Sequence, residues 1–148
     1  MLLAAMVAAG GLLVGCFAGA QQFGTATEAK AMFDRAIAAL KTDEKAALAA
    51  FNDKNNKEFH HNDLYVFCFN AIDGRITAHP NPALIDTDSR ALKFKDDAFG
   101  LRAFNAVKEG TVTTIDYNFP KPGTVDPVPK QSFLERVGSM GCGVGYYK

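Results

Sequence analysis

The stretch DLYVFCFNAIDGRITAHPNP, from Asp63 to Pro82, decides the fold. Its first part, Leu64 to Asn70, is rich in aromatic and β-branched residues, which favour strands. Asp73-Gly74 is a strong signal for a hairpin turn. Arg75 to His79 then alternates polar and apolar residues, and the prolines that follow prevent further regular pairing. The stretch therefore predicts a β-hairpin that runs into a proline-punctuated loop.

The parity of this hairpin predicts which side chains share a face. Successive residues of a strand point to opposite faces, so pairing across Asp73-Gly74 sorts the two strands into two sets. One face is predicted to carry Val66, Cys68, Thr77 and His79, and the other to carry Tyr65, Phe67, Phe69, Ile76 and Ala78. Tyr65 and His79 are thus expected on opposite faces, unless a bulge or the strand end re-aims one of them.

Helices are predicted before the hairpin. The chain from Gln22 to Asn52 has helical apolar spacing, with a break at residues 41–43. Thr25 and Glu28 form a capping-box pattern at the start. The break supplies Thr42 or Asp43 as the cap of a second, shorter helix.

Mixed elements are predicted after the hairpin. Residues 81–97 read as a loop, and Ala98 to Val107 as a short helix. Strands are expected over Thr111–Phe119, Gln131–Val137 and Gly141–Tyr147, with a proline-rich loop from Pro120 to Pro129. Consecutive strands with short links favour a five-stranded antiparallel sheet, and helices segregated from it give an α+β fold.

Composition indicates one ordinary globular domain, expected over residues 21–148. The chain has 148 residues, of which 48% are hydrophobic. Lys+Arg and Asp+Glu number 16 each, so the formal net charge is zero. This balance argues against a nucleic-acid-binding surface, which needs a basic stripe.

The first twenty residues have a different composition. Met1 to Ala20 carries no charged side chain, and Ala18-Gly19-Ala20 fits the small-residue pattern before a signal peptidase cleavage site. We expect residues 1–20 to be a signal peptide and the mature chain to be periplasmic or secreted. Two alternatives stay open. One is an uncleaved membrane anchor. The other is a lipoprotein that is processed and lipidated at Cys16.

Cleavage after Ala20 would leave Cys68 and Cys142 as the cysteines of the mature chain. Disulfides persist in exported proteins, and each cysteine lies in a predicted strand. A disulfide is possible if those two strands are neighbours. Two separate buried thiols are the alternative, and the sequence leaves both open.

Six pieces of the chain, taken in order, resemble a known family. They are Ala46–Asp53, Asp63–Asn70, Asp73–Ile85, Asp116–Gly123, Pro129–Val137 and Gly141–Lys148. Together they resemble the single Cache domain, a PAS-like extracytoplasmic sensor module of bacterial receptors that also occurs as a stand-alone exported protein. The chain departs from the family at Met140-Gly141-Cys142, where relatives usually hold more aromatic residues, and this puts the size and shape of the pocket in doubt.

The resemblance implies both an architecture and a function. It implies a PAS-like, profilin-like sheet with the N-terminal helices on one face, and a short helix and loops on the other. It implies that a small molecule, often a short carboxylate or an amino acid, binds between the sheet and the flanking loops. A membrane receptor or kinase is the partner expected of such a module. No cofactor, metal ion or catalysis is expected.

Five residues are candidates for binding an anionic ligand. Such a ligand requires a fixed cation and a few hydroxyl or amide donors in an otherwise apolar cleft. The candidates are Lys130, His79, Tyr117, Tyr65 and Arg102.

An alternative function is an envelope enzyme or metal-binding protein on the same scaffold. In that case Cys142 would act as a nucleophile, or His60, His61 and His79 would bind a metal ion.

Overall fold

Two helices begin the part of the chain that the computed structural model describes, residues 22–148. The predicted signal peptide and Cys16 lie outside the described residues. Helix α1 spans Ala26–Thr42 and α2 spans Glu44–Asn52. The predicted capping box is present, because the Thr25 hydroxyl accepts from the Glu28 N–H while the Glu28 carboxylate accepts from the Thr25 N–H. Asp43 ends α1 and caps α2 by accepting from the Ala46 N–H at 3.0 Å.

An antiparallel sheet follows the helices. Its strands are β1 His60–His61, β2 Leu64–Asn70, β3 Ile76–Ala78, β4 Thr113–Pro120, β5 Pro127–Val137 and β6 Met140–Tyr147. The spatial order is β1-β2-β6-β5-β4, and β3 pairs with β2. The five predicted strands are thus present, and β1 adds a short sixth. Helix α3 spans Phe99–Ala106, and two 3₁₀ turns at Pro82–Leu84 and Ser89–Ala91 occupy the predicted loop.

Strand β5 begins earlier than the sequence predicts. The sequence predicts a loop from Pro120 to Pro129, but the observed loop spans only the six residues 121–126. Pro127 already pairs with Pro120, and Pro129 pairs with Asn118. Prolines are tolerated here because this end of β5 extends past Tyr147, the last residue of β6. The Pro129 carbonyl accepts from the Lys148 N–H just beyond that point.

The sheet is covered on both faces, as the α+β prediction requires. Helices α1 and α2 pack on one face around Phe33, Phe51 and Val144. Helix α3 and the loop before it cover the other face, around Phe69, Phe99 and Ile115. The second face holds the candidate site.

A disulfide joins two neighbouring strands at the centre of the sheet. Cys68 of β2 lies directly opposite Cys142 of β6, with 4.1 Å between their Cα atoms, and the two are bonded. Of the two alternatives that the sequence left open, the structure shows the disulfide. The bond closes a loop of 74 residues, which by chain entropy stabilises the fold by about 4 kcal/mol. Within residues 22–148, no helix is both long and apolar enough to span a bilayer.

Candidate functional site

A cavity of about 320 Å³ lies between the sheet and the α3 side of the domain. Most of its wall is aromatic or aliphatic, and the polar groups in the wall are few. The apolar wall includes Phe67, Phe69, Phe94, Phe99 and Phe119. The polar groups come from Tyr65, His79, Asn81, Ser89 and Tyr117. An apolar pocket of this size with a few convergent polar groups is typical of a small-molecule site.

Glycines in β6 make room on this face of the sheet. A Cβ atom on Gly143 would lie 2.7 Å from the Phe67 ring, and one on Gly145 would lie 2.9 Å from the Tyr117 hydroxyl oxygen. Both distances are too short for a real side chain. Aromatic side chains of β2 and β4 therefore lie directly over the β6 backbone.

The expected separation of Tyr65 and His79 is wrong. Both residues line the cavity, and their rings meet edge to face with centroids 5.4 Å apart. The cause is a register shift between β2 and β3, where Cys68 pairs with Ala78 but Phe69 pairs with Ile76. One extra residue on β3 moves the side chains of the residues after it to the opposite face of the sheet. His79 therefore lies on the same face as Tyr65.

His79 is a neutral hydrogen-bond donor in this site. Its Nδ1 atom accepts from the Asn81 backbone N–H at 2.9 Å, which places the proton of the neutral ring on Nε2. Burial, aided by the positive charge of Lys130, lowers the pKa of His79 to about 4. At neutral pH the ring is therefore uncharged, with an Nε2–H group to offer.

Lys130 is a buried cation beside the cavity. The residue is only 2% exposed, and its Nζ atom lies 4.4 Å from the ring centroid of Tyr147 and 5.4 Å from those of Tyr65 and Phe119. Two of these rings also line the cavity. Within residues 22–148, the ammonium group forms no ion pair. Lys130 itself is not among the residues that line the cavity, but its ammonium lies next to the Tyr65 and Phe119 rings, which are. An ammonium desolvated by protein interacts strongly with an anion.

Asp63 partly balances the charge of Lys130. Its Oδ1 atom accepts from the Gly24 N–H at 2.6 Å, and its Oδ2 atom is buried with no partner among the described residues. Burial lowers the pKa of Lys130 to about 8, and the negative charge of Asp63 opposes this effect. Lys130 is therefore mostly protonated at pH 7, yet its charge is only loosely compensated.

Two tyrosines add neutral hydroxyl groups. Burial raises the pKa of Tyr65 to about 12 and raises that of Tyr117 further. The Tyr117 hydroxyl lies 3.0 Å from the Ser132 hydroxyl, either of which can donate. The site thus combines one cation with neutral donors, an arrangement suited to a carboxylate.

Arg102 lies outside the cavity, although the sequence made it a candidate. Its guanidinium group makes two hydrogen bonds to the Asp97 carboxylate, at 2.9 and 2.6 Å, and a third to the Asp116 carbonyl. The side chain is 45% exposed. We therefore leave Arg102 out of the site.

Sequence reasoning missed several cavity residues because they lie in the segment that it treated as loop. Ser89 and Phe94 belong to this segment. Phe99 lies in the short helix that the sequence predicts, but it was not among the candidate site residues. Aromatic residues in a predicted loop, such as Phe94, were the signal that this segment packs onto the sheet.

The structure gives other roles to residues on which the alternative catalytic and metal-binding hypotheses depend. Cys142 is bonded to Cys68 and therefore provides no thiolate nucleophile. The His60 Nε2 atom lies 2.6 Å from the Phe51 carbonyl oxygen, in the part of the fold near α2, whereas His79 lines the cavity. Among the residues that the structure describes, no three His, Cys, Asp or Glu side chains form a metal-binding group.

Comparison with solved structures places this architecture among known folds. A periplasmic sensor domain of a chemotaxis protein is 24% identical, with a TM-score of 0.58 over 82% of this chain and 88% of its own. A methyl-accepting chemotaxis protein from Vibrio parahaemolyticus is 21% identical, with a TM-score of 0.64 over 82% of this chain and 86% of its own.

A third structure is a Cache chemosensory domain, described as showing the structural basis for carboxylic acid recognition by that domain. It is 21% identical, with a TM-score of 0.57 over 82% of this chain and 86% of its own. No protein-family model and no curated protein matches the sequence. The chain therefore has the α+β fold of the periplasmic Cache-type sensor domains of chemotaxis proteins, as its sequence motifs predicted.

Proposed function

We propose that this protein is an extracytoplasmic sensor module that binds a small organic carboxylate in the cavity on the α3 face. The observation that carries the proposal is Lys130, a buried ammonium without an ion pair among residues 22–148, next to an aromatic cavity. Burying a charge is costly unless something compensates it. A ligand carboxylate that reaches Lys130 provides that compensation, so the site favours anions.

The neutral donors orient the ligand. The His79 Nε2–H group and the Tyr65 and Tyr117 hydroxyls supply hydrogen bonds without adding charge. One cation with neutral donors matches a monocarboxylate better than a dicarboxylate, whose second charge would be buried without a cation. The likeness in fold to a Cache domain described as recognising carboxylic acids supports the same ligand class.

We propose that the chain works outside the cytoplasm. The Cys68–Cys142 disulfide supports this location, since such bonds form and persist in oxidising compartments. The composition of residues 1–20 supports export by a signal peptide. In this proposal residues 21–148 form one sensor domain, and a membrane receptor or kinase reads its ligand-bound state.

A thermal-shift screen tests the function. The purified protein is heated with a panel of short aliphatic, aromatic and amino-acid carboxylates, alongside Lys130→Met and Lys121→Met. Lys121 is the matched control, because its Nζ atom also lies over the Tyr147 ring, at 5.6 Å, but Lys121 is only half-buried and lies over neither of the cavity-lining rings of Tyr65 and Phe119. We expect a saturable rise in melting temperature for the wild type and the control, and none for Lys130→Met. A ligand response that survives Lys130→Met would contradict the proposal.

A further inference from the structure

Ser89 is a polar residue of the cavity wall whose hydroxyl has no partner among the described residues. The residue is 4% exposed and lines the cavity, and its Oγ atom makes no hydrogen bond within the described part of the chain. A buried hydroxyl without a partner is unfavourable, because the hydrogen bonds that it makes to water in the unfolded chain are not replaced. The Tyr117 hydroxyl, by contrast, pairs with the Ser132 hydroxyl.

The backbone holds Ser89 firmly in place. Its N–H donates to the Gly74 carbonyl at 2.8 Å, and its own carbonyl accepts from the Leu92 N–H at 3.0 Å. Gly100 of α3 packs so closely on the Ser89 carbonyl that a Cβ atom there would overlap it. Ser89 therefore belongs to a fixed turn of the cavity wall, not to a free loop.

Ser89 and Lys130 mark opposite ends of the site. Ser89 lies beside Gly74, at the hairpin end of β2 where Phe69 pairs with Ile76, whereas Lys130 contacts Tyr65 near the start of that strand. Four residues separate Tyr65 from Phe69, which is about 13 Å along a strand. Allowing about 2.8 Å for a hydrogen bond at each end leaves about 7 to 8 Å between the two polar groups of a ligand.

The space between these ends is apolar and aromatic. Phe94 stacks on Phe99 with ring centroids 5.1 Å apart, and Phe99 lies 4.2 Å from Tyr117 by the same measure. A flat ring or a short hydrocarbon chain fits such a wall. A two-carbon acid such as acetate would reach Lys130 and leave Ser89 without a partner.

We propose that the ligand is an amphipathic monocarboxylate that carries a hydroxyl, carbonyl or amide group at its far end, and that Ser89 binds this group. This inference rests on the proposed function for the carboxylate end and adds the identity of the other end. It predicts that selectivity among carboxylates is set by the far end of the ligand.

Calorimetric titration with three probes tests the inference. The probes are acetate, phenylacetate and 4-hydroxyphenylacetate, whose hydroxyl lies at about the required distance from the carboxylate. We expect 4-hydroxyphenylacetate to bind the wild type about three- to tenfold more tightly than phenylacetate, the range for one net hydrogen bond. Ser89→Ala should remove that preference and leave phenylacetate binding unchanged. Ser139→Ala, in the β5–β6 turn outside the cavity, is the matched control and should keep the preference.

Each outcome of the titration has a distinct meaning. Equal binding of phenylacetate and 4-hydroxyphenylacetate to the wild type overturns the Ser89 inference and leaves carboxylate binding intact. A preference that survives Ser89→Ala also overturns it. Binding of none of the three acids, together with no response in the wider thermal-shift panel, overturns the proposed function itself. The wild-type comparison does not depend on how well the Ser89→Ala variant folds.

Discussion

Replacing Lys130 with methionine should stabilise the ligand-free protein. Burial lowers the pKa of Lys130 from 10.5 to about 8, which corresponds to about 3 kcal/mol against the ammonium form in the folded state at pH 7. The rings of Tyr65, Phe119 and Tyr147 offset part of this cost, because a desolvated cation–π interaction contributes about 1 to 2 kcal/mol. Methionine has a similar length and no charge, so the net gain is about 1 to 2 kcal/mol.

The gain has a measurable size and a defined pH dependence. In a domain of this length it corresponds to a melting temperature higher by about 4 to 8 °C at pH 7. The folded pKa of Lys130 lies below the unfolded one, so the unfolded chain binds more protons between pH 8 and pH 10.5. Wild-type stability should therefore rise through this window relative to Lys130→Met, and the advantage of the variant should shrink.

Urea denaturation at pH 7 and at pH 9.5, without ligand, measures both effects. Lys121→Met is the control, since the same change of side chain at that position is expected to shift stability by less than 0.5 kcal/mol. A Lys130→Met variant that is less stable than the wild type at pH 7 would refute this reasoning. It would mean that the ammonium group is well compensated in the free protein, and a ligand carboxylate would then gain little from it.

Three other changes test the site and its support. Carboxylate affinity should fall about tenfold between pH 7 and pH 9, because the free Lys130 side chain loses its proton near pH 8 and the bound form requires it; calorimetry at a series of pH values measures this, and a flat profile would contradict it. Cys68→Ala combined with Cys142→Ala should cost about 4 kcal/mol in a urea titration, and unchanged stability would show that the cross-strand bond constrains little. Gly145→Ala should weaken carboxylate binding, because its Cβ atom would lie 2.5 Å from the Ser132 Oγ atom and 2.9 Å from the Tyr117 hydroxyl oxygen, so this hydrogen-bonded pair must shift; wild-type affinity in this variant would remove the Tyr117 hydroxyl from the site.

Local signals in the sequence were sufficient for most of the elements. The Thr25–Glu28 capping box and the Asp43 cap defined the helices, and the Asp73-Gly74 turn placed β2 and β3. These features depend on neighbouring residues, so a single sequence carries them. Strand β5 was predicted too short, because the tolerance of Pro127 and Pro129 depends on where β6 ends.

The candidate site was predictable only in part. Lys130 and Tyr117 were chosen from the kinds of side chain that an anion requires, and the structure places Tyr117 in the cavity wall and Lys130 next to it. Tyr65 and His79 were assigned to opposite faces of the sheet. One extra residue in β3 places them on the same face, and nothing in the local sequence indicates that this residue is inserted. Ser89 was missed for a different reason, since its place in the cavity wall depends on how a loop packs onto the sheet, which no local sequence pattern reports.

The protonation state of the Lys130 side chain tests the central claim most directly. Heteronuclear NMR of its Cε–Hε groups, assigned with Lys130→Met, follows the titration in the free protein and with a saturating carboxylate. We predict a pKa of about 8 in the free protein and a value at least one unit higher in the complex, because the bound anion stabilises the ammonium form. A Lys130 resonance whose titration does not change when a carboxylate binds would contradict the claim that Lys130 holds the ligand.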